Sequence, residues 1–328
     1  MQNNNFCETE NIKHLAGFDF LDVCLLGETG TGKTHTARLI HELSPRSQKP
    51  FVAVNCAELS PSIIEAELFG YEKGAFTGAV LPRTGKFEAA AGGTLFLDEI
   101  GELESHMQAK LLKAVEEKQI TRVGSNVQRP VNLRIIYATN RDLAVFREDL
   151  RYRVAAHTIR LKPLRERREA IIPLAKQFIT DFDVKSGRKI SVSKTALQIL
   201  ERADWRGNVR ELRTIIEKAC LDALFLADWH ETADEIVPIA ELTSEILLSF
   251  LPQNEFTEKK IAEDMNFDPA TNPNNLNYKE EKIDFDRRLI ATTLAKNNGN
   301  VFRTAIELNL SRYGLIKKLK RYKIKPED

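Results

Sequence analysis

The octapeptide Gly27-Glu28-Thr29-Gly30-Thr31-Gly32-Lys33-Thr34 restricts this chain more than any other feature. It fits the pattern GxxxxGK followed by Ser or Thr. The apolar run Val23–Leu26 precedes it and the amphipathic stretch Thr34–Leu43 follows it. A glycine-rich turn between a buried strand and a helix lets backbone N–H groups and the helix N-terminus face phosphate oxygens. In that setting residues 27–32 form the cradle, Lys33 reaches the β- and γ-phosphates, and Thr34 ligates Mg²⁺. A plain glycine-rich surface turn is the bland alternative, and the strand-before, helix-after context speaks against it.

Further runs resemble strands: Phe51–Val54, Thr94–Leu97, Leu133–Ala138 and Thr158–Leu161. Amphipathic stretches such as Met107–Lys118 lie between them. Strand–helix alternation over the first 164 residues predicts an α/β fold with a parallel sheet covered on both faces. From residue 165 to about residue 226 only helical periodicity remains, which predicts a separate helical subdomain over 165–228. The run Thr94-Leu95-Phe96-Leu97 ends in Asp98-Glu99. Asp98 suits the Mg²⁺ shell, and Glu99 suits polarisation of an attacking water. Alone such a pair is weak, because acids commonly cap strand ends. Downstream of a phosphate loop it predicts a Mg²⁺-dependent ATPase or GTPase, and these residues do not choose between the two.

Gly74-Ala75-Phe76-Thr77-Gly78-Ala79, preceded by Glu67-Leu68-Phe69-Gly70-Tyr71-Glu72-Lys73, is the most specific string in the chain. It resembles the GAFTGA loop of sigma-54-dependent transcriptional activators, the bacterial enhancer-binding proteins. Residues 51–59, 92–100, 138–143, 146–150, 164–167 and 208–212 are similar to further blocks of that family, in the same order. The resemblance implies an AAA+ P-loop ATPase with a parallel sheet and a helical lid, followed by a small all-α helix-turn-helix domain.

It also implies roles. Gly74, Ala75, Phe76, Thr77, Gly78 and Ala79 would project toward a central pore and contact sigma-54, with a second pore loop around Arg122–Arg129. A hairpin carrying one aromatic is the bland reading, but packing explains poorly an exposed Phe between glycines. Asn55 resembles a switch asparagine that holds the catalytic Glu99; a simple strand-end Asn is the alternative. Thr139 and Asn140 resemble the first sensor of the γ-phosphate, and Arg210 the second, on the lid. Arg147 and Arg153 resemble arginine fingers acting on the adjacent subunit's ATP; either could instead be a surface ion-pair partner. Fingers acting in trans require an oligomer, and the family implies a hexamer.

Four positions depart from the family pattern. The connection from residue 143 to Phe146 is several residues short, Arg206 stands where proline is typical, and Thr34 stands where many relatives carry glutamate. The lead-in before Gly27 is short and leaves the adenine pocket unassigned. With no regulatory domain ahead of the motor, control by a regulatory protein in trans, constitutive activity and derivation from a longer chain all stay open.

Charge divides the C-terminal part. Residues 231–281 carry twelve acids and three lysines, and residues 282–328 carry twelve bases and five acids. This predicts an acidic linker over 229–281, with Ile236–Leu251 apolar enough for a docking helix, and a basic domain over 282–328. Asn298-Gly299-Asn300-Val301, Leu308-Asn309-Leu310-Ser311-Arg312, Leu315, Leu319 and Tyr322 resemble a Fis-type helix-turn-helix. Ser311 can cap its second helix. Arg312, Tyr313, Lys317, Lys320 and Arg321 are then the candidates for contact with double-stranded DNA at enhancer-like sites. A basic dimerisation module is the alternative. Cys7, Cys24, Cys56 and Cys220 show no metal-ligand or disulfide spacing, as expected of a cytoplasmic protein. No run approaches the ~20 apolar residues of a membrane span.

Together these features predict an ATP- and Mg²⁺-dependent activator that remodels sigma-54 RNA polymerase from closed to open promoter complexes. A DNA-binding regulator with a vestigial ATPase, and a protein remodeller acting away from DNA, are the alternatives.

Overall fold

A computed structural model of the protein describes residues 11–229, 240–251, 287–297 and 300–308, together with 315, 318, 319, 322 and 324. The chain divides into two compact units, Met1–Phe256 and Thr257–Asp328.

The first unit is built on a five-stranded sheet. Among the described residues the strands before the lid are β1 (Val23–Leu26), β2 (Phe51–Asn55), β3 (Gly70–Tyr71), β4 (Arg83–Thr84), β5 (Thr94–Asp98), β6 (Gln119–Thr121), β7 (Gln128–Pro130), β8 (Arg134–Thr139) and β9 (Thr158–Arg160). The sheet order is β2-β5-β8-β1-β9, with every pairing parallel. The five expected strands are thus present, and near-continuous apolar runs are what a sheet covered on both faces requires. Alternation along the strands separates two layers. Val23, Leu25, Phe96, Ile136 and Ala138 pack with Ala37 and Ile40 of helix Lys33–Glu42. Cys24, Leu95, Leu97, Ile135 and Tyr137 pack with Leu68, Leu111 and Leu150, which belong to helices Pro61–Phe69, Ser105–Glu117 and Glu148–Val154.

A buried side chain of the sheet helps to hold the short lead-in. Arg134 donates to the carbonyls of Leu15 (2.8 Å), Ala16 (3.3 Å) and Leu21 (2.9 Å). A guanidinium buried at the start of the central strand β8 is tolerated because it is hydrogen-bonded on several sides.

The lid follows, with helices Ile171–Ser186, Lys194–Arg202 and Asn208–Trp229. It also holds a strand pair that helical periodicity does not reveal: Ile190–Val192 runs parallel to Ala240–Leu242. The helix Ser244–Phe250 comes next, and Leu247 and Leu251 are buried in the same core as Ile179, Leu200 and Ile216. Residues 240–251, placed in the linker with a docking helix expected over Ile236–Leu251, pack on the lid as a strand and a short helix. The remainder of the 229–281 segment from residue 230 on lies outside the described residues.

In the second unit residues 287–296 and Val301–Glu307 are helical, and Ile290, Leu294, Leu315 and Leu319 form a small buried cluster. The Asn300 side-chain oxygen accepts from Arg303 N at 3.1 Å, capping the helix that follows.

Candidate functional site

In a doubly wound sheet ligands bind beyond the carboxyl ends of the strands, where neighbouring connections diverge. β1 ends there, and Gly27–Thr34 wraps over its tip. Gly30 (φ 81) and Gly32 (φ 104) take left-handed conformations that favour glycine. The first helical bond, Thr36 N to Gly32 O, is 2.9 Å long. The loop and the first turn of the helix border a cavity of about 520 Å³ lined by Thr29 to Thr36, Asp98, Glu99 and several lid residues.

Lys33 is 6% exposed; its Nζ donates to Gly27 O at 3.0 Å and stands 3.3 Å from Glu99 Oε1. Thr34 Oγ1 donates to Asp98 Oδ2 at 3.3 Å. Two neighbouring ligands of an octahedral Mg²⁺ at about 2.1 Å lie about 3 Å apart, so the hydroxyl and carboxylate fit such an ion, with water or phosphate completing it. Among the described residues there is no group of three or more His, Cys, Asp or Glu side chains able to hold a metal. Burial and the adjacent Glu99 charge push the Asp98 carboxyl above its usual range, opposed by the Glu99 amide, Lys33 and Thr34.

Glu99 leaves β5 in a left-handed conformation (φ 50), with Oε2 accepting from Asn140 N at 3.3 Å. Asn55 does not hold it in this structure. Asn55 pairs in register with Asp98, one residue short of Glu99, and its Nδ2 donates to Glu58 Oε1 at 2.8 Å. Of the expected first-sensor pair, Asn140 reaches the phosphate loop, donating to Thr29 Oγ1 at 3.1 Å. Thr139 is fully buried and its hydroxyl accepts from Arg141 N at 3.0 Å, so it closes a turn and does not line the cavity. Arg210 does line it. Arg147 is paired with Asp149 (2.8 Å) and Arg153 with Asp22 (3.2 Å); both are exposed and neither lines the phosphate cavity of its own chain.

Glu28 belongs to the loop by sequence but does not line that cavity. Arg165 donates to both its oxygens, at 2.8 and 2.5 Å, and Asn208 Nδ2 donates to one at 3.2 Å. These bonds, Arg165 first, hold its carboxyl down at about 2. No sequence pattern discloses this cluster, because its members are far apart along the chain. Arg206, where proline is typical, is exposed beside Asp204 (3.5 Å).

Gly74–Ala79 closes the tip of the β3–β4 hairpin. Gly74 N donates to Ala79 O at 2.9 Å, and Gly74 (φ 83) and Gly78 (φ 101) are left-handed. Phe76 is 48% exposed and meets Tyr71 edge-on at 4.9 Å. Val80 and Leu81 beside it are also largely exposed. The β6–β7 hairpin lies alongside: Glu72 N donates to Val123 O at 3.0 Å, and a side chain at Gly124 would strike Ala75 Cβ at 2.8 Å. Arg122 bridges Glu88 and Glu72 below both loops, a charged cluster the sequence did not reveal.

The expected DNA contacts Arg312, Tyr313, Lys317, Lys320 and Arg321, and the expected cap Ser311, lie outside the described residues. Leu315 and Leu319, two of the residues that carry the helix-turn-helix resemblance, are buried. Cys24, Cys56 and Cys220 are free and buried, with burial pushing each thiol up to about 12. Among the described residues no helix is long and apolar enough to cross a membrane.

Comparison with known proteins accounts for most of the chain. The sigma-54 interaction domain model matches residues 3–160, the AAA+ ATPase lid domain model residues 165–229, and the bacterial regulatory protein, Fis family model residues 284–322. The chain is 40% identical over 313 residues to the regulatory protein AtoC of Escherichia coli (strain K12), covering 93% of this chain and 63% of that one. It is 49% identical over 203 residues to the Nif-specific regulatory protein of Azospirillum lipoferum, covering 60% of this chain and 32% of that one. It thus spans less than two thirds of the length of these relatives. A crystal structure of NtrX from Brucella abortus in complex with ATP is similar in fold, with a TM-score of 0.63 at 27% identity, covering 99% of this chain and 68% of that one. A phosphate loop on a parallel sheet, a helical lid, a glycine-flanked hairpin and a C-terminal helical unit agree with these matches, and the chain belongs to the family of sigma-54-dependent transcriptional activators, with an AAA+ core, an AAA+ lid and a Fis-type helix-turn-helix.

Proposed function

We propose that the protein is an ATPase that binds DNA upstream of promoters, assembles into a ring, and uses hydrolysis to convert closed complexes of sigma-54 RNA polymerase into open ones. The observation that carries this reading is the convergence of Lys33, Thr34, Asp98 and Glu99 on one cavity in the same unit as the exposed Phe76–Thr77 tip. Loop amides and Lys33 would bind the triphosphate. The base would lie against Leu174, Phe178 and Val209, the apolar part of the cavity wall. That NtrX binds ATP supports adenine. Thr34 and Asp98 would hold Mg²⁺, which neutralises phosphate charge when bound.

Lys33 and the Asn140 amide hold the Glu99 carboxylate at the cavity wall. When Lys33 turns to the phosphates, Glu99 is released to accept a proton from the attacking water. Arg147 and Arg153 would supply cations to a neighbouring subunit's site. Phe76 and Thr77 would contact sigma-54, and residues 312–321 would contact DNA.

In a purified transcription assay, ATP-dependent open complexes should form with sigma-54 polymerase and be lost in Thr77→Ala, while that variant keeps its ATP turnover. Equal promoter opening by Thr77→Ala would remove the loop from the mechanism. The pairing of both candidate fingers within their own chain, and of Asn55 with Glu58, favours a second reading: a DNA-binding regulator in which nucleotide serves assembly alone. Turnover measured across protein concentration separates the two, since the second reading requires none at any concentration.

A further inference from the structure

Four consecutive residues of the phosphate loop are bonded to the lid. The Glu28 carboxylate accepts from Arg165 and Asn208. Thr29 O accepts from the same Asn208 amide at 3.1 Å, Gly30 O from Val209 N at 2.9 Å, and Thr31 O from Arg167 Nη2 at 2.7 Å. The contact is tight, for a Cβ at Gly30 would come within 2.3 Å of Gly207 O.

Asn208 is the pivot. It is fully buried with φ 54, a left-handed conformation that Asn tolerates better than most residues. Its Oδ1 accepts from Leu164 N at 2.7 Å while its Nδ2 serves the loop, so one amide ties the start of the lid to the phosphate loop. Two residues further on, Arg210 lines the phosphate cavity, with no hydrogen-bond or ion-pair partner for its guanidinium among the described residues. Glu28 itself lines a different cavity, of about 450 Å³, on the side of Asn140 and Pro163. It does not line the phosphate cavity.

Resting on the ATPase reading above, we infer that Glu28 is a positioning residue: clamped by Arg165 and Asn208, it sets the angle at which the lid presents Arg210 to bound nucleotide. Two donors from separate lid segments converge on one carboxylate, and a two-pronged guanidinium–carboxylate pair fixes direction as well as distance. Losing the charge loosens the lid without altering the groups that meet phosphate.

The test uses the full chain, with a fluorescent ATP analogue for affinity and steady-state turnover for KM and kcat. Glu28→Gln, nearly isosteric, should weaken analogue binding and raise KM about tenfold, the size of a charge-assisted bond partly screened by solvent. Its kcat should stay within about twofold, because lid contacts act on ground and transition states alike. Arg165→Gln should behave the same. Arg210→Ala should also bind weakly, and Glu28→Gln combined with Arg210→Ala should be no weaker than Arg210→Ala alone. A carboxylate that merely stabilised the fold would lower the melting temperature and the active fraction and leave affinity unchanged. Unchanged affinity in Glu28→Gln, or additive losses in the double variant, overturns the inference. If the wild type binds the analogue but does not turn ATP over, the ATPase reading falls and the affinities still decide the role of Glu28. A wild type that binds no nucleotide overturns both.

Discussion

Glu28 holds its charge because Arg165 and Asn208 favour the carboxylate, which brings its carboxyl from the ordinary 4.5 down to about 2. A depressed acid contributes stability that is fully present above its unfolded value and is lost as pH falls through its folded value. Its side chain is 44% exposed, so the contribution is screened and amounts to about 1 kcal/mol. Urea denaturation of wild type and Glu28→Gln should therefore show a constant gap from neutral pH down to about pH 5, closing as pH falls further. A gap independent of pH would mean the carboxylate charge plays no part. At this scale, legibility follows spacing. Lys33 and Thr34 are adjacent in one motif, and Asp98 and Glu99 close one apolar run. Arg165 and Asn208 lie 137 and 180 residues from Glu28, and nothing local in the chain says that they meet.

Whole elements were readable where burial on both sides leaves an unbroken apolar run, as in β1, β5 and β8. They were unreadable where they are short. Ala240–Leu242 is three residues long, within a stretch whose acids read as linker, whereas the apolar run Ile236–Leu251 did suggest the helix found over Ser244–Phe250. What makes this segment part of the lid is long-range packing: Leu242 and Leu247 are fully buried against the lid core. Leu247→Ala should leave a cavity there and cost about 2–5 kcal/mol, lowering the melting temperature of the lid. An unchanged melting curve would return residues 240–251 to the linker. The two-residue strands β3 and β4 were equally hidden, yet the loop between them was the most recognisable string in the chain. Its function constrains residue types where its secondary structure scarcely does.

For the molecule as a whole the informative feature is what the phosphate cavity lacks. It holds Lys33, Thr34, Asp98, Glu99 and Arg210, while Arg147 and Arg153 are exposed elsewhere, each paired with an acid of its own chain. Arg147 and Asp149 are both exposed and screened by solvent, so exchanging that acid for a neighbour's phosphates costs little. Asp22, the partner of Arg153, is largely buried and keeps a hydrogen bond from Ile135 N when the arginine leaves. Oligomeric architecture is invisible in a single sequence because the partners of a trans-acting residue belong to another copy, and here only family resemblance pointed to it. Two inactive variants make the idea testable. Glu99→Gln lacks the proposed base and Arg153→Ala lacks one proposed finger, so each alone should lose at least about a hundredfold in turnover. Mixed in equal amounts, a site formed between an Arg153→Ala subunit supplying Glu99 and a Glu99→Gln subunit supplying Arg153 is complete. Random mixing should then restore about a quarter of wild-type turnover in a ring of head-to-tail subunits. Were the fingers to act within their own chain, no pairing of the two variants would create an intact site, and the mixture would stay as inactive as its components.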